Sequence, residues 1–384
     1  MKSLQHVSIH FPNRLVFGKG VLNQLGEEMA ALQTHKVLIV TIVPLLEILR
    51  PLVAELQQKG MEVQIDTSIV NEPTFNDFGD LMKKATPFCP DTVIGIGGGS
   101  VLDIAKLVAA QIDNEQTLTD YVGIGLLKGR KKKLICVPTT AGTGSEVSPN
   151  AILVDNADGQ KKGIISPYLV PDVVYADPLL TLKVPAAVTA ATGLDALTHC
   201  LEAYTNKFAN LFMDMYAYEG IRLIAANIVK AVTDGGDEEA RTLVAMGSLL
   251  GGFCLGPVNT AGVHALSYPL GSMFHLSHGL SNALLLPYLM EYNISAAPER
   301  YAQVAVALGC ERAGSDLETA AKGVEKVREI IKACGIPATL KEVGVPREAI
   351  PQMAVDALKI QRLLKNNPRL IEEKDAISIY ETAY

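Results

Sequence analysis

Short apolar runs alternate with helix-period segments through the first 180 residues. Residues 36–41 read Lys-Val-Leu-Ile-Val-Thr, a buried-strand run, and a helical pattern follows to about Lys59. Strand-like runs recur at 61–65, 92–96 and 134–137, and a late one at 173–176 ends in Asp177-Pro178. Strands alternating with helices predict βαβ units and a mostly parallel sheet. After Pro185 the pattern changes to long apolar-periodic segments rich in Ala and Leu, at 186–205, 211–232 and 238–251, which predict helices. The expected organisation is an α/β domain over 1–180 and an all-α domain over 181–384. The sequence contains no internal repeat and no low-complexity segment.

The second half holds an uncharged run. From Thr242 to Met290, 49 residues, there is no Asp, Glu, Lys or Arg. Gly251, Gly252, Gly256, Pro257 and Asn259 interrupt it, so no clean stretch of about 20 apolar residues survives to span a membrane. The chain has 384 residues, 48% of them hydrophobic, and a net charge of −7, which argues against nucleic acid as a partner. The basic cluster from Lys128 to Lys133 is expected to be a solvated loop. The six cysteines are scattered without a CxxC pair, which fits reduced thiols. Met1 to His6 carry no apolar signal region, so the expected location is the cytoplasm.

Two loops suggest a phosphate-bearing ligand. The strand at 92–96 runs into Gly97-Gly98-Gly99-Ser100, then Val101-Leu102-Asp103-Ile104-Ala105-Lys106. Glycines let the backbone approach a ligand, and a helix N-terminus that follows supplies free N–H groups. Ser100 is the expected N-cap, with Asp103 three residues on as in a capping box. A tight turn without ligand would use the same residues. After the strand at 134–137 comes Pro138-Thr139-Thr140-Ala141-Gly142-Thr143-Gly144-Ser145-Glu146, small hydroxyls and glycines suited to a cofactor crevice. Lys162 lies just beyond, within reach of a phosphate or ribose, or simply solvated.

The remaining chemistry lies in four residues. Asp195 and His199 have i, i+4 spacing, so one helix face carries both. A carboxylate flanked by Leu194, Ala196 and Leu197 is costly unless paired or coordinated. His264 and His278 sit in the uncharged run, as core residues or as ligands. One carboxylate and three imidazoles suit Fe(II), Zn(II) or a similar divalent ion. His275, three residues before His278, is a rival ligand. Glu202, seven residues after Asp195, is a partner behind the ligands or an exposed charge.

These stretches together resemble the iron-dependent, or group III, alcohol dehydrogenase family. The matching segments are Gly97-Gly98-Gly99-Ser100 with Asp103 and Lys106; Pro138 to Glu146; Thr192-Gly193-Leu194-Asp195-Ala196-Leu197-Thr198-His199 with Glu202-Ala203-Tyr204; and His264 with Pro269-Leu270-Gly271 and His278-Gly279. They occur in the family's order over most of the chain. The resemblance implies a dinucleotide-binding α/β domain, a helical metal-binding domain with the dehydroquinate synthase-like fold, and an active site in a cleft between them. It places metal ligands on Asp195, His199, His264 and His278. It places the pyrophosphate turn on Gly97, Gly98, Gly99 and Ser100 beside Asp103. The nicotinamide-side loop falls on Thr139, Thr140, Thr143 and Ser145, with Lys162 near the ribose.

The chain departs from the family pattern at three points. Tyr268 stands where many members have a histidine used in proton transfer, and His275 where many have Asn or Asp. The alcohol proton is therefore expected to leave through water, the ribose hydroxyls, Tyr268 or His275, and His275 could instead bind a substrate carboxylate. Ile42 follows the first buried-strand run where NAD-preferring members often carry an acid, so both NAD and NADP are expected cofactors. The implied activity is hydride transfer between NAD(P) and a primary alcohol or its aldehyde, including hydroxy acids such as 4-hydroxybutyrate. The alternative is a metal- and NAD-dependent lyase or cyclase resembling dehydroquinate synthase, which would need more Lys and Arg around the metal. The expected metal is iron, with zinc second. The expected partners are a small-molecule substrate and further copies of the chain, as a dimer or larger oligomer.

Overall fold

The structure, a computed structural model, describes residues 7–384, so the reading of Met1 to His6 lies outside it. The chain forms two compact units. One contains Ile9–Thr140 and Ser145–Thr181, and the other contains Ala141–Gly144 and Leu182–Tyr384. The short piece at 141–144 thus packs with the helical unit although its sequence neighbours belong to the α/β unit.

The strands of the α/β unit are β1 (Arg14–Phe17), β2 (Lys36–Val40), β3 (Glu62–Asp66), β4 (Thr92–Gly97), β5 (Gly123–Ile124), β6 (Lys133–Pro138), β7 (Asn150–Val154), β8 (Lys161–Ile165) and β9 (Val173–Ala176). Its helices are α1 (Leu25–Ala31), α2 (Leu46–Gln58), α3 (Phe75–Phe88) and α4 (Gly99–Gln111). Six strands make a sheet of order β1-β9-β6-β4-β2-β3, and every adjacent pair is parallel. The central strands β4 and β6 are almost wholly buried, because helices cover both faces of such a sheet. One apolar layer sets Leu38, Val93 and Leu134 against α3 and α4, and the other sets Val37, Ile94 and Ile135 against α1 and α2. A small second sheet, β5-β8-β7, has no counterpart in the sequence expectation. β5 has only two residues and β8 opens Lys-Lys-Gly, whereas the apolar run of β7, Ala151 to Val154, is a signal that the sequence expectation leaves out.

Two expectations are corrected. Helix α4 starts at Gly99 with Gly98 as N-cap and no side-chain cap, so Ser100 lies inside the first turn. Asp103 does not cap the helix. Its carboxylate accepts from the Ser145 hydroxyl and, at 2.9 Å, from the Ile152 amide. The cluster from Lys128 to Lys133 is not simply solvated: Arg130 pairs with Asp172 at 2.6 Å, Lys132 with Asp113 at 2.7 Å, and Lys133 opens β6.

Asp103 and Lys106 act as a clamp. Lys106, completely buried, donates to the carbonyls of Ser148 at 3.0 Å and Asn150 at 2.8 Å. The helix after the glycine turn is thereby tied to the chain leaving the threonine-rich loop. Glu146 is buried in the same stretch, and burial pushes its carboxyl up to about 7. Its folded value lies above the ordinary one of 4.5, so its ionisation opposes folding as pH climbs through that window. Glu146→Gln is therefore expected to stabilise the protein by up to about 3 kcal/mol at pH 8 and by nothing below pH of about 4.5. Urea unfolding at pH 4.5 and pH 8 checks this; an equal effect at both would contradict it.

The helical unit consists of α5 (Ala186–Thr205), α6 (Leu211–Thr233), α7 (Glu238–Cys254), α8 (Gly262–Phe274), α9 (His278–Ile294), α10 (Pro298–Ala307), α11 (Asp316–Ala333), α12 (Ile350–Leu358), α13 (Gln361–Leu364) and α14 (Glu373–Thr382). Helix α5 is buried on nearly every side from Gly193 to Thr205, which its small and apolar residues permit. The uncharged run 242–290 forms most of α7, α8 and α9, so its lack of charge reflects burial within a helix bundle. Among the described residues, no helix is long and apolar enough to cross a membrane.

Candidate functional site

Three helices bring the four expected ligands together. Helix α5 supplies Asp195 and His199 from one face, α8 supplies His264 from its first turn, and α9 begins at His278. One atom from each of the four lies within 4.8 Å of all the others. The Nε2 atoms of His199, His264 and His278 stand 3.7, 3.6 and 3.8 Å from Asp195 Oδ1. A tetrahedral ion with bonds of about 2.1 Å keeps its ligand atoms about 3.4 Å apart, so the three imidazoles stand slightly wider of Asp195 than such an ion would hold them. The His199 and His264 rings stack with centroids 4.8 Å apart. Asp195, His199 and His264 are buried, whereas the His278 side chain is 31% exposed and marks the accessible side.

The partners behind these residues set their protonation. Glu202, two turns along α5 from Asp195, accepts from the amides of Ala261 at 2.9 Å and Val263 at 2.6 Å and from His264 Nδ1 at 2.7 Å. It is the inward-facing partner that the sequence left undecided. Holding a proton on Nδ1 directs Nε2 of His264 toward Asp195, the usual arrangement behind a metal-binding imidazole, where a metal ion would take the place of the second proton. Burial opposes charge on His264, but the carboxylates of Glu202 and Asp195 outweigh it and push its pKa up to about 10. Burial likewise opposes ionisation of Asp195, yet the imidazoles of His199, His278 and His264 outweigh it and hold its carboxyl far below the usual range. For His199 burial prevails over Asp195 and lowers the imidazole's pKa.

Asn282 completes the cluster, and sequence reasoning missed it. Its Nδ2 lies 2.7 Å from Asp195 Oδ1, 3.1 Å from His264 Nε2 and 3.3 Å from His278 Nε2, while its Oδ1 is buried without a partner. The signal available was spacing: Asn282 lies four residues after His278, on the same helix face. The Nδ2 donor is the atom that faces the carboxylate and imidazoles, so a cation in their midst would need the amide turned to present Oδ1 or drawn aside.

The two candidate proton carriers sit differently. The Tyr268 ring lies edge-on to His278 with centroids 6.0 Å apart, and its hydroxyl accepts from Arg362 at 2.8 Å. His275 is exposed, ends α8 in the left-handed conformation with φ 56°, and is not one of the four clustered residues.

Within the α/β unit, the glycine turn and the threonine loop leave neighbouring strands. Gly97 is in register with Pro138, and the Thr139 amide donates to Gly97 carbonyl at 3.0 Å. A Cβ at Gly97 would meet the Val101 side chain at 2.7 Å, so only glycine permits this closeness of strand and helix. At Gly98 a Cβ would meet nothing nearer than the Thr140 hydroxyl at 3.4 Å, which leaves that face of the turn open beside the N-terminus of α4. Gly99, Ser100 and Thr140 are half-buried, and Thr139 and Ser145 are buried. Lys162 pairs with Asp158 and, at 4.0 Å, with Asp155. Thr143 belongs to the piece at 141–144, whose Gly142 packs on Thr192 of α5 and whose Gly144 packs on Gly252 of α7.

Comparison with known proteins agrees with this arrangement. Residues 12–178 match the model of the iron-containing alcohol dehydrogenases, and residues 189–384 match that of the Fe-containing alcohol dehydrogenase family, C-terminal. The chain is 39% identical over 386 residues to long-chain-alcohol dehydrogenase 1 of Geobacillus thermodenitrificans, covering 98% of this chain and 96% of that protein. A crystal structure of 1,3-propanediol oxidoreductase superposes with a TM-score of 0.95 at 34% identity, over 99% of this chain and all of the other. Sulfoacetaldehyde reductase from Bifidobacterium kashiwanohense, solved in complex with NAD+, superposes with a TM-score of 0.89 at 25% identity, over 99% of each chain. A parallel α/β unit, a helical unit and both family models in sequence lead to one assignment: the chain belongs to the iron-containing alcohol dehydrogenase family, with its dehydroquinate synthase-like fold.

Proposed function

We propose that the protein interconverts a primary alcohol and its aldehyde with NAD or NADP, using a divalent ion held by Asp195, His199, His264 and His278. The balanced reaction is R–CH2OH + NAD(P)+ → R–CHO + NAD(P)H + H+. The observation that carries the reading is the gathering of four ligand atoms within 4.8 Å by three helices of the helical unit. A bound ion, iron first by family and zinc second, would supply Lewis acidity that lowers the alcohol's pKa. The alternative of a cyclase is not favoured by the family, and Arg or Lys is absent from the run 242–290 that builds much of the site.

The chain's own groups orient and hold charge. The ionised Asp195 and the three imidazoles set one face of the reacting centre, and Glu202 fixes the His264 ring so that Nε2 faces inward. In this reading Gly97, Gly98, Gly99 and Ser100 cradle the pyrophosphate, while Thr139, Thr140 and Thr143 line the dinucleotide's path. Asp103 and Ser145, bonded to each other, shape that loop. Lys162 would have to leave Asp158 to reach a ribose. Ile42, where a carboxylate would repel a 2′-phosphate, supports use of NADP beside the NAD seen with the Bifidobacterium enzyme. For the alcohol proton, Tyr268 beside His278 is the better-placed carrier, with His275 on the exposed helix end.

A panel of alcohols and aldehydes with NAD and NADP, followed by absorbance of the reduced nicotinamide, tests the activity. Net formation of reduced cofactor from an alcohol is the expected result; turnover without net cofactor change would favour the cyclase. Glu202→Gln is expected to weaken metal binding by about 10–100-fold while the fold persists. Competition with a chromogenic chelator reads this directly, and unchanged affinity would remove Glu202 from its orienting role.

A further inference from the structure

Arg362 is a cation with little to do inside the protein. It lies half-buried in α13, and among the described residues its one hydrogen bond is to a neutral acceptor, the Tyr268 hydroxyl. Among the described residues no carboxylate pairs with it. Other arginines without carboxylates are spent on backbone: Arg241 donates to the carbonyls of Gly235 and Val184 and to the Thr189 hydroxyl, and Arg369 to the Tyr292 carbonyl. A guanidinium has five N–H donors in a planar fork, so Arg362 keeps most of its capacity for an oxyanion.

Its position gives that capacity a purpose. The Arg362 Cζ lies 5.8 Å from the Tyr268 ring centroid, and that ring lies 6.0 Å from His278, the most exposed of the four clustered residues. The guanidinium is therefore within about 12 Å of the His278 ring, with Tyr268 in contact with both. The run 242–290 that contributes Tyr268 has no charged residue to compete with Arg362 for an anion. Tyr268 is 9% exposed, a rigid ring whose hydroxyl fixes where the fork points.

We propose that Arg362, positioned by Tyr268, binds an oxyanion at the far end of the substrate, so that the preferred alcohols and aldehydes are short chains ending in a carboxylate or sulfonate. This deepens the dehydrogenase reading above and rests on it. The shared chemistry is a delocalised oxyanion accepting two parallel N–H bonds. Neutral alcohols of equal length would lack that anchor and show a higher KM.

The experiment compares 4-hydroxybutyrate, isethionate and 1-butanol as substrates of the metal-loaded enzyme, wild type and Arg362→Gln. Glutarate binding by calorimetry is measured on the same proteins. The wild type is expected to favour an anionic substrate, and the two anions show whether carboxylate or sulfonate is preferred. In Arg362→Gln, kcat/KM for the favoured anion should fall at least about tenfold more than for butanol, chiefly through KM, with glutarate binding weakened by a similar factor. Arg362→Lys should recover part of the loss. Equal losses on all substrates, or a wild type that favours butanol and binds no glutarate, would overturn the proposal. If no alcohol is oxidised by the wild type but glutarate binding still depends on Arg362, the dehydrogenase reading fails and the anion site stands. Metal content and the unfolding temperature of each variant separate misfolding from lost recognition.

Discussion

His264→Ala is expected to cost the protein its metal and its activity together. The imidazole is the ligand most firmly built into the site: Nδ1 is held by Glu202, its ring stacks on His199, and Nε2 lies 3.6 Å from Asp195. Alanine removes one of four donors and leaves Glu202 buried without its imidazole partner, still bonded to the amides of Ala261 and Val263. Metal per chain should fall from near one to near zero after dialysis. Alcohol oxidation should fall at least about a thousandfold, the consequence of losing several kcal/mol of Lewis-acid stabilisation. Metal analysis beside turnover reads both quantities. A variant that keeps full metal and full turnover would defeat the ligand assignment, and far-ultraviolet circular dichroism shows whether the helices persist.

The second large effect comes from a residue with no side chain. A Cβ added to Gly279 would lie 2.2 Å from the Ala191 carbonyl oxygen and 3.3 Å from the Asp195 Cβ. The nearer atom is backbone and cannot rotate away, so Gly279→Ala must push the first turn of α9 from α5. Those two segments carry His278 and Asp195, whose facing atoms stand 3.8 Å apart. Overpacking of this kind costs about 2–3 kcal/mol, or roughly 5–10 °C in unfolding temperature for a unit of this size. Metal affinity should fall with it, because one ligand moves relative to the other three. Calorimetric unfolding with and without added metal measures both. An unfolding temperature and affinity equal to the wild type's would show that the helices have room to spare.

Much of the α/β unit is legible in the amino-acid order. The strands at 36–41, 92–96 and 134–137 stand out because both faces of a covered parallel sheet are apolar, which gives continuous runs. Asp195 and His199 are recognisable by helical spacing. In the β5-β8-β7 sheet only β7 carries a signal, the apolar Ala151-Ile152-Leu153-Val154, which sequence reasoning passed over; β5 has two residues and β8 opens Lys-Lys-Gly. The cap of α4 is misleading because Ser100 and Asp103 match a capping pattern, while the fold commits Asp103 to Ser145 and Ile152. Local signals for capping cannot register a partner some forty or more positions away.

The same division runs through the site. The amino-acid order carries the kinds of chemistry: a glycine turn opening a helix, a carboxylate and a histidine at helical i, i+4 spacing, and two further histidines in an uncharged run. These are short-range properties, carried by side-chain type and period. Tertiary structure decided which atoms converge. It chose His264 and His278 over His275 for the cluster, turned Glu202 inward to hold a proton on His264, set the Asn282 amide among the ligands and laid Arg362 on Tyr268. Those residues lie on helices distant in sequence, and only packing of one helix against another determines which side chains share a few ångströms of space.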